Sequence, residues 1–283
     1  MRVTKPFVLT CSLLLGFNET PVFSWGQIGH RTIAKIAEHH LTPNAARKLK
    51  RLLGNESLPR AATWMDEVRL DPDHTRFDPM RPWHYVEIPD DKTYETSNKN
   101  PSGDAIQAVQ TAEKTLKDRL ATVDQKILAV RVLTHVVGEL HCPVHVGNGK
   151  DHGSNWCYVL YLGQPTTLHR MWDDHLIQAL ELSYTEFAAF IDFPTPQEIR
   201  KWQNSTPIDW AEESRAIRRT LYPKPLTEGA SYAYCKTSEE EDIPQKKMPK
   251  LGYEYVYMNK GIVEQRLLQA GIRLAGILNA ALR

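Results

Sequence analysis

Apolar residues recur at helical spacing through most of the chain. Ile28, Ile33, Ile36, Ala37 and Leu41 predict a first helix after Gly29. Thr42-Pro43 reads as an N-cap with proline at the first helical position, opening a helix through Leu49 and Leu53 that Gly54 stops. A short helix is expected from Ala61 to Val68, and Asp104 can cap another that reaches Leu120. Asp124 can open a long apolar helix through Ile127, Val130, Leu133 and Val137, ended by Pro143. Leu168 to Leu180, Ile208 to Leu221 and Leu251 to Leu282 complete the helical set. Strand character is confined to Trp156 through Tyr161, and Gly163-Gln164-Pro165 after it reads as a small hairpin. The intervals 71–82, 89–103 and 223–249 read as loops, and no repeat or long flexible linker divides the chain. The pattern predicts one mostly α domain with one small β-hairpin.

The N-terminus departs from this pattern. Arg2 and Lys5 precede an apolar run from Pro6 to Gly16, and Val22-Phe23-Ser24 places small residues before Trp25. That is the anatomy of a secretory signal peptide over residues 1–24, and the run is too short to span a bilayer. The expected mature domain is 25–283, secreted or periplasmic, with no membrane anchor. The full chain has 35 Lys+Arg against 34 Asp+Glu, a balance that excludes a basic nucleic-acid-coating protein and an acidic tail. Cleavage would remove Cys11 and leave Cys142, Cys157 and Cys235, which allow three pairings. Cys157–Cys235 is preferred, because Cys142 lies beside His141 in a histidine-rich stretch.

The chemistry gathers where acids and histidines share helix faces. His135 and Glu139 stand four apart on the long apolar helix, and His145 follows beyond Pro143. His169 and Asp173 repeat the i, i+4 spacing. Either pair alone would pass for a surface ion pair; two on apolar helices, with a third histidine between them, point to a metal. Imidazole nitrogen with carboxylate oxygen is the donor set of catalytic zinc. A mature N-terminus at Trp25 would add an α-amine and carbonyl able to chelate a cation, with His30 little more than a turn away.

In this order, the segments WGQIGH (25–30), TWMDEVR (63–69), PWHYVE (82–87), HVVGELHCPVH (135–145), HGSN (152–155) and LHRMWDDH (168–175) make the sequence resemble the zinc-dependent single-strand-specific nucleases typified by the fungal nucleases S-one and P-one. A more distant resemblance is to bacterial zinc-dependent phospholipase C, which shares the fold. The resemblance implies a single-domain helical fold and three zinc ions. One would be held by Asp66, His84, His135 and Glu139; a second by His145, His169 and Asp173. The third would take the amine and carbonyl of Trp25, His30 and a shared Glu139 oxygen. The family usually has Asp where this chain has Glu139, whose extra methylene can bridge through a different rotamer.

Arg69 matches an arginine that neutralises transition-state charge on the phosphate, and Asp66 is counted with it as catalytic. Tyr85 falls where an aromatic stacks on a base, and Glu87 where an acid, more usually Asp, meets the base edge. His39, His40, His74, His141, His152 and His175 match no ligand position and read as surface or supporting residues. The implied activity is hydrolysis of single-stranded DNA and RNA to 5′-phosphorylated nucleotides, with 3′-nucleotidase activity. No stable protein partner is implied, and a monomer is expected. Phospholipase C and a non-catalytic secreted zinc-binding protein stay open as alternatives. Against the first stand the Trp25–His30 spacing and the placements of Arg69 and Tyr85.

Overall fold

The computed structural model describes residues 25–73, 75, 77–224 and 232–283. The proposed signal segment and His74 therefore lie outside the described residues. Helix α1 spans Gln27–His39 and α2 spans Pro43–Leu53. The Thr42 hydroxyl accepts the Ala45 N–H at 3.2 Å, which satisfies one of the free donors at the start of α2. The single helix expected from Ala61 to Val68 is broken. Leu58–Ala61 (α3) and Trp64–Glu67 (α4) are separate turns, and a 3-10 turn follows over Val68–Leu70. A second 3-10 stretch, Asp78–His84, occupies the end of the first expected loop and leads into strand β1, Val86–Glu87.

Helix α5, Ala105–Lys117, begins at the Asp104 cap as expected and stops short of Leu120. Helix α6, Val123–His141, starts one residue before the expected Asp124 and is capped by Thr122, which forms a reciprocal capping box with Gln125. From Ala129 to His141 all but Arg131 are buried, so α6 is the central rod. Helices α5, α1 and further helices pack around it. Its all-round apolar composition is what such a position demands.

Beyond α6 a 3-10 turn, Pro143–His145, enters β2, Val146–Gly147, which pairs in parallel with β1 (Val86 opposite Val146). The expected hairpin is β3, Tyr158–Tyr161, and β4, Gln164–Thr167. Leu162 and Gly163 both have positive φ (49° and 84°), as a two-residue turn between twisted strands requires. The segment from Leu168 is a helix interrupted by a π turn. It runs through α7, Leu168–Arg170, then Met171–His175 in the wider form, then α8, Leu176–Gln178.

Helices α9, Tyr184–Ile191, and α10, Pro196–Gln203, were not anticipated, although Ser183/Glu186 and Thr195/Glu198 form capping boxes in front of them. Both are too short to show a sustained apolar stripe. Helix α11, Pro207–Leu221, follows. Strand β5, Lys250–Leu251, adds in parallel to β3, extending the hairpin to three strands. The last helix, α12, is Tyr253–Ala281, and it packs along α1 and α6. Cys157–Cys235 is a disulfide that ties the 232–249 segment to the strand after residue 156, and Cys142 is a buried free thiol. Among the described residues no helix is long and apolar enough to cross a membrane.

Candidate metal centre and substrate cleft

Helix α6 presents His135 and Glu139 one turn apart, both fully buried. Around them the fold brings His30 from α1, Asp66 from α4, His84 from the end of its 3-10 stretch, and His145 from just beyond α6. His169 and Asp173 join from the π-turn segment. The β1–β2 pairing is what draws residues 84 and 145 together, since both sit just ahead of the paired strands. The π turn widens the helix where Asp173 stands.

Gly138 lets α1 come close. A Cβ there would lie 2.9 Å from His30 Nδ1, while the His30 ring stacks on His135 at 4.0 Å between centroids.

Four of the histidines are oriented by backbone carbonyls. Nδ1–H of His135 donates to Ala62 O (2.7 Å), that of His145 to His84 O (2.8 Å), and that of His169 to Gly153 O (2.6 Å). His84 donates to Arg81 O at 3.2 Å. This pattern sets the tautomer and leaves each Nε2 lone pair available, the arrangement expected behind metal-ligating imidazoles.

The Gly153 carbonyl is delivered by an unusual turn: His152, Gly153 and Ser154 all have left-handed φ (53°, 61°, 68°). A Cβ on Gly153 would sit 2.6 Å from Val144 O, so glycine is required there. Left-handed backbone at the two flanking residues costs on the order of 1–2 kcal/mol each, a strain that the surrounding contacts must hold.

The carboxylates point to a cation. Glu139 Oε1 lies 2.9 Å from His135 Nε2, and Asp173 Oδ2 lies 2.9 Å from His169 Nε2. Yet both Glu139 oxygens, Asp173 Oδ2, Asp66 Oδ2 and the Nε2 atoms of His84 and His169 make no hydrogen bond, although all are buried. Donor atoms that face each other closely without bonding are positioned as ligands of a common cation. Three buried carboxylates with unsatisfied oxygens would cost several kcal/mol each without one.

Three groups have ligand atoms mutually within 4.8 Å: His30 with Asp66 and His135; His84 with His135 and Glu139; and Cys142 with His145 and Asp173. The structure thus gathers His30, Asp66, His84, His135, Glu139, His145, His169 and Asp173 in one region. It places His30 beside Asp66 and His135, and it brings in Cys142, which the sequence left unassigned. Trp25 is fully buried next to the cluster, and the Gly26 N–H donates to Asp173 O at 2.7 Å.

Titration follows from the crowding. Burial, reinforced by His135, pushes His84 down to about 3, and the same two causes hold His30 well below the usual histidine range. Burial pulls His145 down, but Glu139 and Asp173 outweigh it and raise it to about 9. Asp66 is raised to about 6 by burial, against the pull of His135 and Arg69. A proton on His145 and a cation are therefore alternative ways to balance the carboxylates.

The centre opens on a cleft of about 710 Å³. Arg69, His84, Tyr85, Glu87, His145 and His169 line it, with Asn98, Lys99 and Asn100 from the loop after β1. Arg69 Nη2 donates to Asp66 Oδ1 at 2.8 Å, so the arginine joins the cleft to the centre. Tyr85 is 40% exposed on its wall. Glu87 is more confined than a free base-reading acid: its Oε2 accepts the Gly149 N–H at 2.6 Å, and its carboxylate lies over Gly147, where a Cβ would fall within 2.3 Å. The wall residues 98–100 lie in a polar loop that carries no periodicity. Their signal appears only when the loop folds beside Tyr85.

The profile of the family described as S1/P1 Nuclease matches residues 25–283. The chain belongs to the S1/P1 nuclease family. It is similar to Endonuclease 4 of Arabidopsis thaliana, 30% identical over 272 residues that cover 90% of this chain and 88% of the relative. Nuclease S1 of Aspergillus oryzae is 24% identical over 268 residues, 91% of each chain. Nuclease P1 of Penicillium citrinum is 28% identical over 169 residues, 55% of this chain and 59% of the relative. As an S1/P1 nuclease the chain is a hydrolase with nucleic acid as its substrate class, and its mostly helical architecture agrees with that family. Of the described histidines left without a ligand role, His152 lines the cleft and stacks on Trp156, and the others lie outside it. His39 and His40 both bond to Asp192, and buried His141 donates to Val137 O and accepts from Arg273.

Proposed function

We propose that this nuclease is a zinc-dependent enzyme that cleaves single-stranded DNA and RNA to 5′-phosphorylated nucleotides and removes phosphate from 3′-nucleotides. The observation that carries the reading is the set of buried, unbonded Nε2 and carboxylate atoms at the floor of the Arg69–Tyr85 cleft. Asp66, His84, His135 and Glu139 would hold one zinc, and His145, His169 and Asp173 a second. The Trp25 amine and carbonyl with His30 would hold a third, sharing Glu139. Both oxygens of Glu139 are buried without a hydrogen-bond partner, which leaves two carboxylate atoms for such sharing. Zinc bound there supplies Lewis acidity toward phosphate oxygens and acidifies water.

The protein's own groups account for the rest. Arg69 offers a planar guanidinium at the cleft floor to the non-bridging phosphate oxygens as charge builds on them. Asp66, whose Oδ1 accepts from Arg69 Nη2 at 2.8 Å, fixes that guanidinium at the cleft, and the attacking water gives its proton to solvent. As the new P–O bond forms, the bond to the 3′-oxygen breaks, and that oxygen is released protonated from solvent. Tyr85 supplies an aromatic face for a base, a contact that tolerates sequence and requires an unpaired base. Glu87, anchored by Gly149, presents its remaining oxygen to a base edge. Secretion after cleavage before Trp25, and action as a monomer, complete the reading.

The decisive experiment assays the purified protein on single-stranded nucleic acid, 3′-nucleotide and phosphatidylcholine, before and after chelation and zinc return. Zinc-restored turnover of the first two is expected. Turnover of phosphatidylcholine alone would establish the lipase alternative, and zinc binding with no turnover the sequestering one. Against the latter, no described residue of 223–249 lines the cleft.

A further inference from the structure

Cys142 is the only free thiol among the described residues, and it is fully buried where α6 ends. Its Sγ lies 3.4 Å from Asp173 Oδ1, and His145 Nε2 lies 3.3 Å from that same oxygen. On the other side of the carboxylate, Asp173 Oδ2 faces His169 Nε2 at 2.9 Å, and neither atom has a hydrogen-bond partner. Zinc–sulfur bonds of about 2.3 Å and zinc–oxygen or zinc–nitrogen bonds of about 2.0–2.1 Å at tetrahedral angles separate neighbouring ligands by about 3.3–3.5 Å. The sulfur–oxygen and nitrogen–oxygen separations at Cys142, His145 and Asp173 match two edges of such a tetrahedron. A thiol donor and a His145 hydrogen bond to Asp173 Oδ1 would account for these two separations taken singly. They would leave the buried, unbonded Asp173 Oδ2 and His169 Nε2 without a reason.

We propose that Cys142 is a fourth protein ligand, as thiolate, to the ion held by His145, His169 and Asp173. This rests on the zinc reading above. On ligation the S–H bond breaks, its proton passes to solvent, and a sulfur lone pair enters the metal's coordination sphere. The two halves of the centre then differ in kind. The half built on His30, Asp66, His84, His135 and Glu139 has only nitrogen and oxygen donors. The half at Cys142 has a soft donor and four protein ligands, the number found in closed, structural sites. Its ion is held tightly and exchanges last, although His145 and His169 keep it at the cleft wall.

The test is cobalt(II) substitution of the full, processed protein after zinc removal, read by absorption. A near-ultraviolet sulfur-to-cobalt charge-transfer band that saturates with one equivalent is expected, alongside the visible bands of bound cobalt. In Cys142→Ser that band disappears while the visible bands persist. Zinc affinity at one site should also fall by more than the roughly 10–100-fold that losing an outer supporting partner costs. The serine variant assigns the band to Cys142, since Cys157 and Cys235 are joined as a disulfide. Visible cobalt bands in the wild-type protein without a charge-transfer band would overturn the proposal and leave the zinc reading standing. Absence of any cobalt or zinc uptake would overturn both.

Discussion

Three helical glycines differ mainly in what a methyl group would meet, and they make a graded test of how the centre is built. At Gly261 in α12 nothing lies within 4 Å. At Gly138 in α6 an added Cβ would sit 2.9 Å from His30 Nδ1, 3.0 Å from its Cε1 and 3.1 Å from Ile33 Cδ1. At Gly271 in α12 it would sit 2.6 Å from both Ile36 Cβ and Cγ2, and 3.0 Å from Ile33 O. Helix propensity alone favours alanine by about 1 kcal/mol at each position. Gly261→Ala should therefore gain about 0.5–1 kcal/mol.

At Gly138 overpacking of about 1–3 kcal/mol opposes that gain, for a net loss of about 0–2 kcal/mol. The His30 ring is fully buried and stacked on His135, so it cannot swing away cheaply. Restoring ordinary contact needs a displacement of about half an ångström, and functional geometry tolerates about that much. Gly138→Ala should therefore lose zinc affinity and turnover out of proportion to its stability. Gly271→Ala presses on a branched side chain and on backbone between α1 and α12, and it should be the least stable of the three. Denaturant unfolding of the chelated proteins, zinc titration and turnover on single-stranded DNA read the series. A Gly138→Ala protein as stabilised as Gly261→Ala, with unchanged zinc affinity and rate, would refute the claim that glycine admits His30 to the centre.

Arg69→Ala should lower kcat on nucleic acid and 3′-nucleotides by about 10²–10³ with zinc content retained, measured on the same preparation; wild-type turnover would rule out its phosphate role. Protein carrying Gly-Ser ahead of Trp25 should hold less zinc and hydrolyse 3′-nucleotides more slowly than protein beginning at Trp25, since an amide nitrogen has no lone pair to give; equal zinc and equal rates would remove Trp25 from the ligand set. His141 is held well below the usual histidine range by burial and by Arg266 and Arg273. The unfolded chain takes up its proton below about pH 6.5 and the folded chain does not, so stability falls with acidification by up to about 1.4 kcal/mol per pH unit from this group. Unfolding curves of wild type and His141→Gln between pH 6.5 and 5 should show that difference in slope, and parallel pH dependence would count against it.

Helical spacing, the Thr42-Pro43 start and the Gly54 stop were legible in the sequence because they are local: caps, proline and apolar periodicity act within a few residues. The i, i+4 pairs His135/Glu139 and His169/Asp173 were legible for the same reason. Helices α9 and α10 were not, since one or two turns carry too little periodicity and their signal lay wholly in Ser183/Glu186 and Thr195/Glu198. The Ala61–Val68 segment read as one helix, and tertiary packing divides it to put Asp66 beside His135. What only the tertiary structure decided is the meeting of distant parts. The β1–β2 pairing joins His84 to His145, Gly138 admits His30, and the left-handed turn at 152–154 hands a carbonyl to His169. Cys142 comes within reach of Asp173 across 31 residues of sequence. Donor types and spacing along one helix are set by chain chemistry; which donors share an ion is set by packing, and packing has no local signature.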